Sequence, residues 1–279
     1  MATASSLFVE IPVFDQHAMA QCFLARILWL QGLPDQAMRR VKDIVDGALA
    51  GNDVLSLCQV LVQGACPVAL FVGDLAMADR YVTMLLDHSA RQALGFWQAY
   101  GHAFQGVLVI KRGDVADGLA LLSAALGEFR QIQFGVLYGL FLSEFAEALG
   151  RVGRAAEGLA AIDEALARAE RNDERWYVAE LLRIKGGLLL RQGDPDAPRE
   201  AERLFSEALD WSRRQQAAGW ELRTATCLGT LWRDQGRIED ARRLVSATCA
   251  RFGEGVETAD LRAARQLLGE LGSARRARR

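Results

Sequence analysis

LYGLFLSEFAEALGR (residues 137–151), VGR (152–154) and AAEGLAAIDEALARAE (155–170) follow one another in the middle of the chain. The first and third stretches carry apolar residues three and four positions apart, which is the periodicity of an amphipathic helix. The three residues between them include Gly153, a typical helix-ending residue. Two helices joined by so short a turn must lie antiparallel. The stretch therefore predicts a helical hairpin.

The turn glycine of this hairpin recurs along the whole chain. Six such glycines are separated by 41, 40, 40, 40 and 43 residues: Gly32, Gly73, Gly113, Gly153, Gly193 and Gly236. Five of them are followed, five residues later, by a small residue that lets two helices approach closely: Ala37, Ala78, Gly118, Gly158 and Ala241. In the fifth unit that position holds Pro198, and Ala201 takes the role three residues later. The prolines of this longer turn fit a loop and a first helical residue, but not a helix interior.

Self-similarity at this period predicts a stacked array, because one hairpin cannot bury its apolar face alone. The predicted fold is all-α: a right-handed superhelical solenoid of about six antiparallel helix hairpins with a period of about 40 residues. We expect one domain, 1–279, in which each unit contacts only its neighbours. Its predicted parts are repeats 14–52, 55–93, 96–132, 135–172, 175–216 and 218–252, a capping helix 256–272 and a basic tail 273–279. The N-terminal face of the first hairpin is expected to be exposed, which predicts self-association or a mobile N-terminus.

The units resemble tetratricopeptide repeats, whose pattern fits the last unit best at Leu228, Gly229, Gly236, Ala241 and Val245. The other units are degenerate at the Leu-Gly position. The period exceeds the usual 34 residues of that repeat, so a long variant is favoured over a HEAT or armadillo array.

A closer resemblance covers residues 14–36 and 181–271. These stretches are similar to the C-terminal regions of large bacterial regulators, in which an adenylate-cyclase or winged-helix domain precedes a signal-transduction ATPase and a tetratricopeptide-like tail. The resemblance implies a non-catalytic interaction or regulatory scaffold in bacterial signalling or transcription control, which binds a partner segment or its own upstream effector domains. The alternative is a sensor domain for a small anionic ligand that controls an upstream ATPase or cyclase module.

Composition excludes several functions. The 33 basic and 35 acidic side chains give a net charge of −2, which offers no bulk attraction for nucleic acid. The sequence has no phosphate-binding Gly-Lys-Ser/Thr loop, zinc-protease helix or serine-hydrolase elbow, so no catalytic residue, metal or cofactor is predicted. No membrane span or leader is expected, which predicts a cytoplasmic protein. The terminal ARRARR (274–279) is either a solvated end or a phosphate-contacting arm.

Binding residues are expected on the concave surface, which the first helix of each tetratricopeptide hairpin lines. Counting back from each turn glycine gives these candidates: Arg26, Trp29, Gln63, Tyr100, Lys111, Ser143, Glu147, Arg151, Glu180, Arg183, Arg191, Arg223, Thr226 and Arg233. The arginines concentrate in the last three units. Two interpretations stay open: a basic stripe that takes an acidic peptide or a small anion, or a solvated face balanced by Glu147, Glu180 and Asp234.

Overall fold

The computed structural model describes residues 16–132 and 137–277. The first two residues of the predicted first and fourth repeats and the last two arginines of the predicted tail lie outside this part of the chain. Within it the chain forms thirteen helices and no strand, and the predicted all-α repeat solenoid is confirmed. The helices are α1 Gln16–Leu30, α2 Pro34–Ala50, α3 Val54–Val72, α4 Leu75–Arg91, α5 Gly95–Arg112, α6 Val115–Ile132, α7 Tyr138–Arg151, α8 Ala155–Asn172, α9 Val178–Gln192, α10 Ala197–Arg214, α11 Ala218–Asp234, α12 Ile238–Cys249 and α13 Ala259–Ala277.

Successive helices pair into six hairpins, from α1–α2 to α11–α12, and α13 packs on the last one. The six turn glycines all have a positive φ, between 80° and 110°. Such a left-handed residue ends a helix at little cost only when it has no Cβ. At the third turn the Gly113 N–H bonds the carbonyl of Ile110 at 3.1 Å, and α6 begins two residues later.

Small residues bring the two helices of a hairpin into contact. A Cβ added to Gly106 of α5 would lie 2.8 Å from the Leu122 amide nitrogen of α6. A Cβ on Gly118 would lie 2.8 Å from the Gly106 carbonyl oxygen. The backbones therefore meet directly, and larger apolar side chains fill the space on either side.

Helix α3 is continuous but contains a π-turn at Leu61–Ala65. Pro67 has no N–H, so the carbonyl of Gln63 loses the donor that an α-helix would supply four residues later. The Cys66 N–H bonds the carbonyl of Leu61, five residues earlier, which is the π-helical pattern. By length and composition this helix could cross a membrane, whereas no such segment was expected from the sequence. However, 83% of its most apolar window is buried inside the fold, as in the core helix of a helical array.

The superhelix brings the two ends of the array together. The Gln36 N–H, in the first hairpin, donates to Glu254 Oε1 at 2.9 Å, and the Gly255 N–H donates to Asp35 Oδ2 at 3.2 Å. Behind these bonds, Trp29 of α1 packs against Trp220 of α11. The expectation that each hairpin contacts only its neighbours is therefore wrong for the first one. The accumulated twist of five hairpins places it against the fifth and sixth.

Candidate functional site

The concave side of the closed array holds a cavity of about 500 Å³. A second cavity of about 380 Å³ adjoins it and shares four lining residues, so together they form one groove, which we call the concave groove. First helices of hairpins two to six and the capping helix supply most of its walls, and Leu75 of α4 and Phe205 of α10 complete them. Its charged and polar lining residues are Lys111, Glu147, Arg151, Arg183, Arg191, Arg223, Thr226, Cys227, Thr230, Asp260 and Arg262.

A buried carboxylate organises the floor of the concave groove. Glu180 Oε1 accepts from Arg183 Nη2 and from Arg223 Nη1, both at 3.0 Å, and only 3% of its side chain is exposed. Burial alone would raise the pKa of Glu180, but the two guanidinium groups outweigh it and hold the pKa at about 2. Glu180 is therefore ionised at neutral pH and fixes both arginines in place.

Two further carboxylates, Glu147 and Asp260, pair with the same two arginines. Arg183 Nη2 donates to Glu147 Oε1 at 3.0 Å, and Arg223 Nε donates to Asp260 Oδ2 of the capping helix at 2.9 Å. Burial would raise the pKa of the Glu147 carboxyl, but Arg183 lowers it below its usual range. Each of the two central arginines thus has two carboxylate partners, so neither offers a free positive charge.

Arg223 also joins the concave groove to the closure of the array. Its Nη2 donates to the Phe71 carbonyl of α3 at 3.1 Å, and its guanidinium lies 5.1 Å from the ring centroids of both Trp29 and Trp220. The side chain therefore contacts hairpins one, two, five and six and the capping helix. Its bond to Phe71 adds to the polar contacts that Gln36 and Gly255 make between the ends of the array.

Two arginines on the groove lining lack an anionic partner. No carboxylate of the described residues lies within 4.0 Å of the Arg151 or Arg191 guanidinium, although Arg151 Nη1 donates to the Ile110 carbonyl at 3.2 Å. The two residues come from consecutive hairpins. The Arg191 side chain packs against Gly150, the neighbour of Arg151 in the chain, where an added Cβ would lie 3.2 Å from Arg191 Cδ. Lys111 nearby is paired with Glu144 at 2.8 Å. The uncompensated positive charge of the groove is therefore concentrated at Arg151 and Arg191.

The structure places half of the fourteen sequence candidates on the groove lining: Lys111, Glu147, Arg151, Arg183, Arg191, Arg223 and Thr226. Glu180 lies behind them, bonded to two of them. Arg233 is outside the groove, where it pairs with Asp234 and Glu270.

Five candidates have other positions. Tyr100 is 1% exposed among Phe96, Phe129 and Phe141, and the Ser143 hydroxyl is buried against the Tyr177 hydroxyl at 2.9 Å. Both are corrections to the sequence-based set, because these side chains pack between hairpins rather than facing the groove. Gln63 is buried in the π-turn of α3, Trp29 belongs to the aromatic closure, and Arg26 lies beside Trp176.

Several residues of the groove lining were not among the sequence candidates; they include Phe71, Cys227, Thr230, Asp260 and Arg262. Phe71 stands two residues before its turn glycine, the register that gave Lys111, so counting within the repeat reaches it as well. Asp260 and Arg262 belong to the capping helix, which has no turn glycine from which to count. Only the superhelical closure brings α13 opposite α3, and a repeat pattern carries no signal for that.

No family model and no curated relative matches the chain. Several solved structures, however, are similar to it. The chain is similar to a Rap protein complexed with competence and sporulation factor, at 15% identity over 93% of this chain and 75% of that one, with a TM-score of 0.61. It is similar to the apo form of RapI, at 12% identity over 95% and 86% with a TM-score of 0.58. A signal-transduction ATPase with a tetratricopeptide repeat sensor from Pyrococcus horikoshii matches at 13% identity and a TM-score of 0.53. That match covers 92% of this chain and 38% of the archaeal one. These matches show a tetratricopeptide-like fold.

Proposed function

We propose that the chain is a non-catalytic interaction scaffold whose concave groove holds a segment of a partner protein. The observation that carries the proposal is the pair of uncompensated guanidinium groups, Arg151 and Arg191, on the lining of an otherwise charge-balanced groove. Guanidinium forks bind carboxylates through two parallel hydrogen bonds. The favoured partner is therefore a segment with an acidic side chain at this position. One of the similar structures is a Rap protein complexed with competence and sporulation factor, and a factor bound to the same fold supports a binding role.

We propose in addition that this scaffold acts in a signalling or transcription-control system. The resemblance to bacterial cyclase- and winged-helix-linked regulators, together with the fold shared with the sensor of a signal-transduction ATPase, supports a role in cytoplasmic signalling or transcription control. In that setting the bound segment comes either from an upstream effector domain or from a separate protein.

A random-peptide display selection on the intact chain tests the proposal. We expect enriched peptides to contain Asp or Glu and to bind saturably in calorimetry. Changing both Arg151 and Arg191 to Ser removes the charge-assisted bonds and should weaken binding by roughly tenfold to a hundredfold. Arg112→Ser is the matched control, because Arg112 is an exposed arginine paired with Asp79 outside the groove.

Two results would contradict the proposal. One is that no peptide is enriched, or that the enriched peptides bind the double variant as well as the native chain. The other is that small anions such as citrate or pyrophosphate bind saturably and depend on the two arginines, while peptides do not. That second result would establish the sensor alternative in place of the scaffold.

A further inference from the structure

One face of α1 is apolar and open to solvent. Phe23, Leu24 and Ile27 are 45%, 37% and 46% exposed, and the exposed Ala20 extends the same face by one turn. The other large exposed apolar residues of the described chain are Leu49, Leu121, Val152 and Val256, each on a different element. The α1 face is thus the largest exposed apolar group in the described part of the chain.

The repeat register shows what such a face normally contacts. Ile27 precedes its turn glycine by five residues, and the corresponding residue of each later hairpin is at most 7% exposed: Val68, Leu108, Ala148, Leu188 and Leu231. Leu86 of α4, in the second hairpin, lies directly over Gly101 of the third, which is the counterpart of Ala20. The second helix of the preceding hairpin therefore covers this face in every unit but the first. The α1 face has the shape and composition of a helix-docking surface.

A buried cation borders the α1 face. Arg26 is only 7% exposed, and its guanidinium lies 4.7 Å from the Phe23 ring centroid and 5.4 Å from that of Trp176. No carboxylate of the described residues lies within 4.0 Å of it, in contrast to Arg183 and Arg223. Burial lowers the pKa of Arg26 to about 10. A desolvated guanidinium is unfavourable without a counter-charge, so a carboxylate beside Arg26 would be stabilising.

We propose that the α1 face binds an amphipathic helix of a partner protein, which packs apolar side chains on Phe23, Leu24 and Ile27 and directs a carboxylate to Arg26. A second copy of α1 does not fit this site. Helix α1 contains no acidic residue, and a twofold contact would bring two unpaired Arg26 side chains together. The surface lies outside the concave groove, so this proposal stands independently of the function proposed above.

The chain itself provides a probe for the test. Between the second and third hairpins, Asp79 pairs with Arg112 at 3.2 Å and Leu86 lies over Gly101, so α4 and α5 are antiparallel in a known register. That register brings the exposed Thr83, at the edge of the α4–α5 contact, to about the level of Val107, the counterpart of Arg26. A labelled peptide copying Leu75–Arg91 with Thr83→Glu should present its carboxylate to Arg26. The same peptide with Thr83→Gln is the neutral control.

Fluorescence anisotropy with the intact chain should show saturable binding, with the Glu peptide bound about tenfold more tightly than the Gln peptide. Arg26→Gln should abolish this preference, and Arg26→Lys should retain part of it. Ile27→Asp should prevent binding of both peptides. Val152→Asp, at another exposed apolar residue, should leave binding unchanged. Circular dichroism verifies that each variant keeps its helices.

Three results would overturn the proposal: neither peptide binds at millimolar concentration, both bind equally well, or Ile27→Asp binds like the native chain. Sedimentation of the unliganded chain adds a further test. A dimer that Ile27→Asp dissociates would assign the α1 face to a second copy of this chain instead. A monomeric chain that binds the Glu peptide more tightly than the Gln peptide would support an acidic partner helix.

Discussion

The indole of Trp29 in α1 packs against the indole of Trp220 in α11, with ring centroids 4.5 Å apart and planes inclined by 70°. Phe71 stacks on Trp29 at 4.7 Å, and Tyr177 meets Trp220 edge-on at 5.1 Å. The contact joins the first and last hairpins across the inside of the superhelix. Aromatic pairs of this geometry stabilise beyond the apolar area they bury. The array is therefore a closed ring held from within, and the part of the concave groove between α3 and the capping helix exists only in that closed form.

Replacing Trp220 with Ala should open the ring. Trp220 is fully buried, and its loss leaves a large cavity and removes the indole donor bound to the Trp176 carbonyl at 3.1 Å. We expect a cost of about 3–5 kcal/mol in urea unfolding. Small-angle scattering should also show a larger radius of gyration. Phe141→Ala is the control, because Phe141 is equally buried but lies between neighbouring hairpins. It should destabilise the fold without expanding it, and equal expansion of both variants would contradict the closure by Trp220.

Acid should weaken the ring through Glu180. Its pKa falls from 4.5 in the unfolded chain to about 2 in the folded protein, so the unfolded state binds the proton more readily. The carboxylate therefore stabilises the fold fully above pH 4.5, and this contribution is lost as the pH falls towards 2. The difference corresponds to at most about 3 kcal/mol.

Urea unfolding of the native chain and of Glu180→Gln, measured from pH 7 to pH 2, tests this effect. We expect the variant to be less stable at pH 7, because Arg183 and Arg223 lose a shared partner. The gap between the two proteins should narrow below pH 4.5. Parallel pH profiles would show that Glu180 does not titrate as described.

The two helices of the third hairpin should not tolerate a methyl group between them. Gly106→Ala places a Cβ 2.8 Å from the Leu122 amide nitrogen, and we expect a cost of about 1–3 kcal/mol from overpacking. Gly127→Ala is a matched helical control with no atom within 4 Å of the added methyl group. It should stabilise α6 by about 0.5–1 kcal/mol. Thermal unfolding of both variants measures the difference, and a neutral Gly106→Ala would mean that the backbones can move apart.

The sequence was sufficient to predict the hairpins but not the ring. Turn glycines and small packing residues are local signals, and the all-α array follows from their spacing. Whether Trp29 reaches Trp220 depends on the sum of small rotations between successive hairpins, and no single residue encodes that sum. For the same reason, only part of the concave groove was found from the sequence. Lys111 and Arg183 were found by counting within a repeat, whereas Asp260 comes from a helix outside the repeat register. Tyr100 was misassigned because core and groove positions alternate on the same helix.

The outer hydrogen bonds of the closure should matter less than its aromatic interior. Glu254→Ala removes two bonds to Gln36, of 2.9 and 3.3 Å, in a partly exposed position, whereas the bond from the Gly255 N–H to Asp35 remains. Solvated bonds of this kind contribute about 1 kcal/mol together, well below the expected cost of Trp220→Ala. Scattering should therefore show the same radius of gyration for Glu254→Ala as for the native chain. If Glu254→Ala alone expands the molecule as much as Trp220→Ala, then the turn contacts hold the ring closed, and the aromatic cluster only fills it.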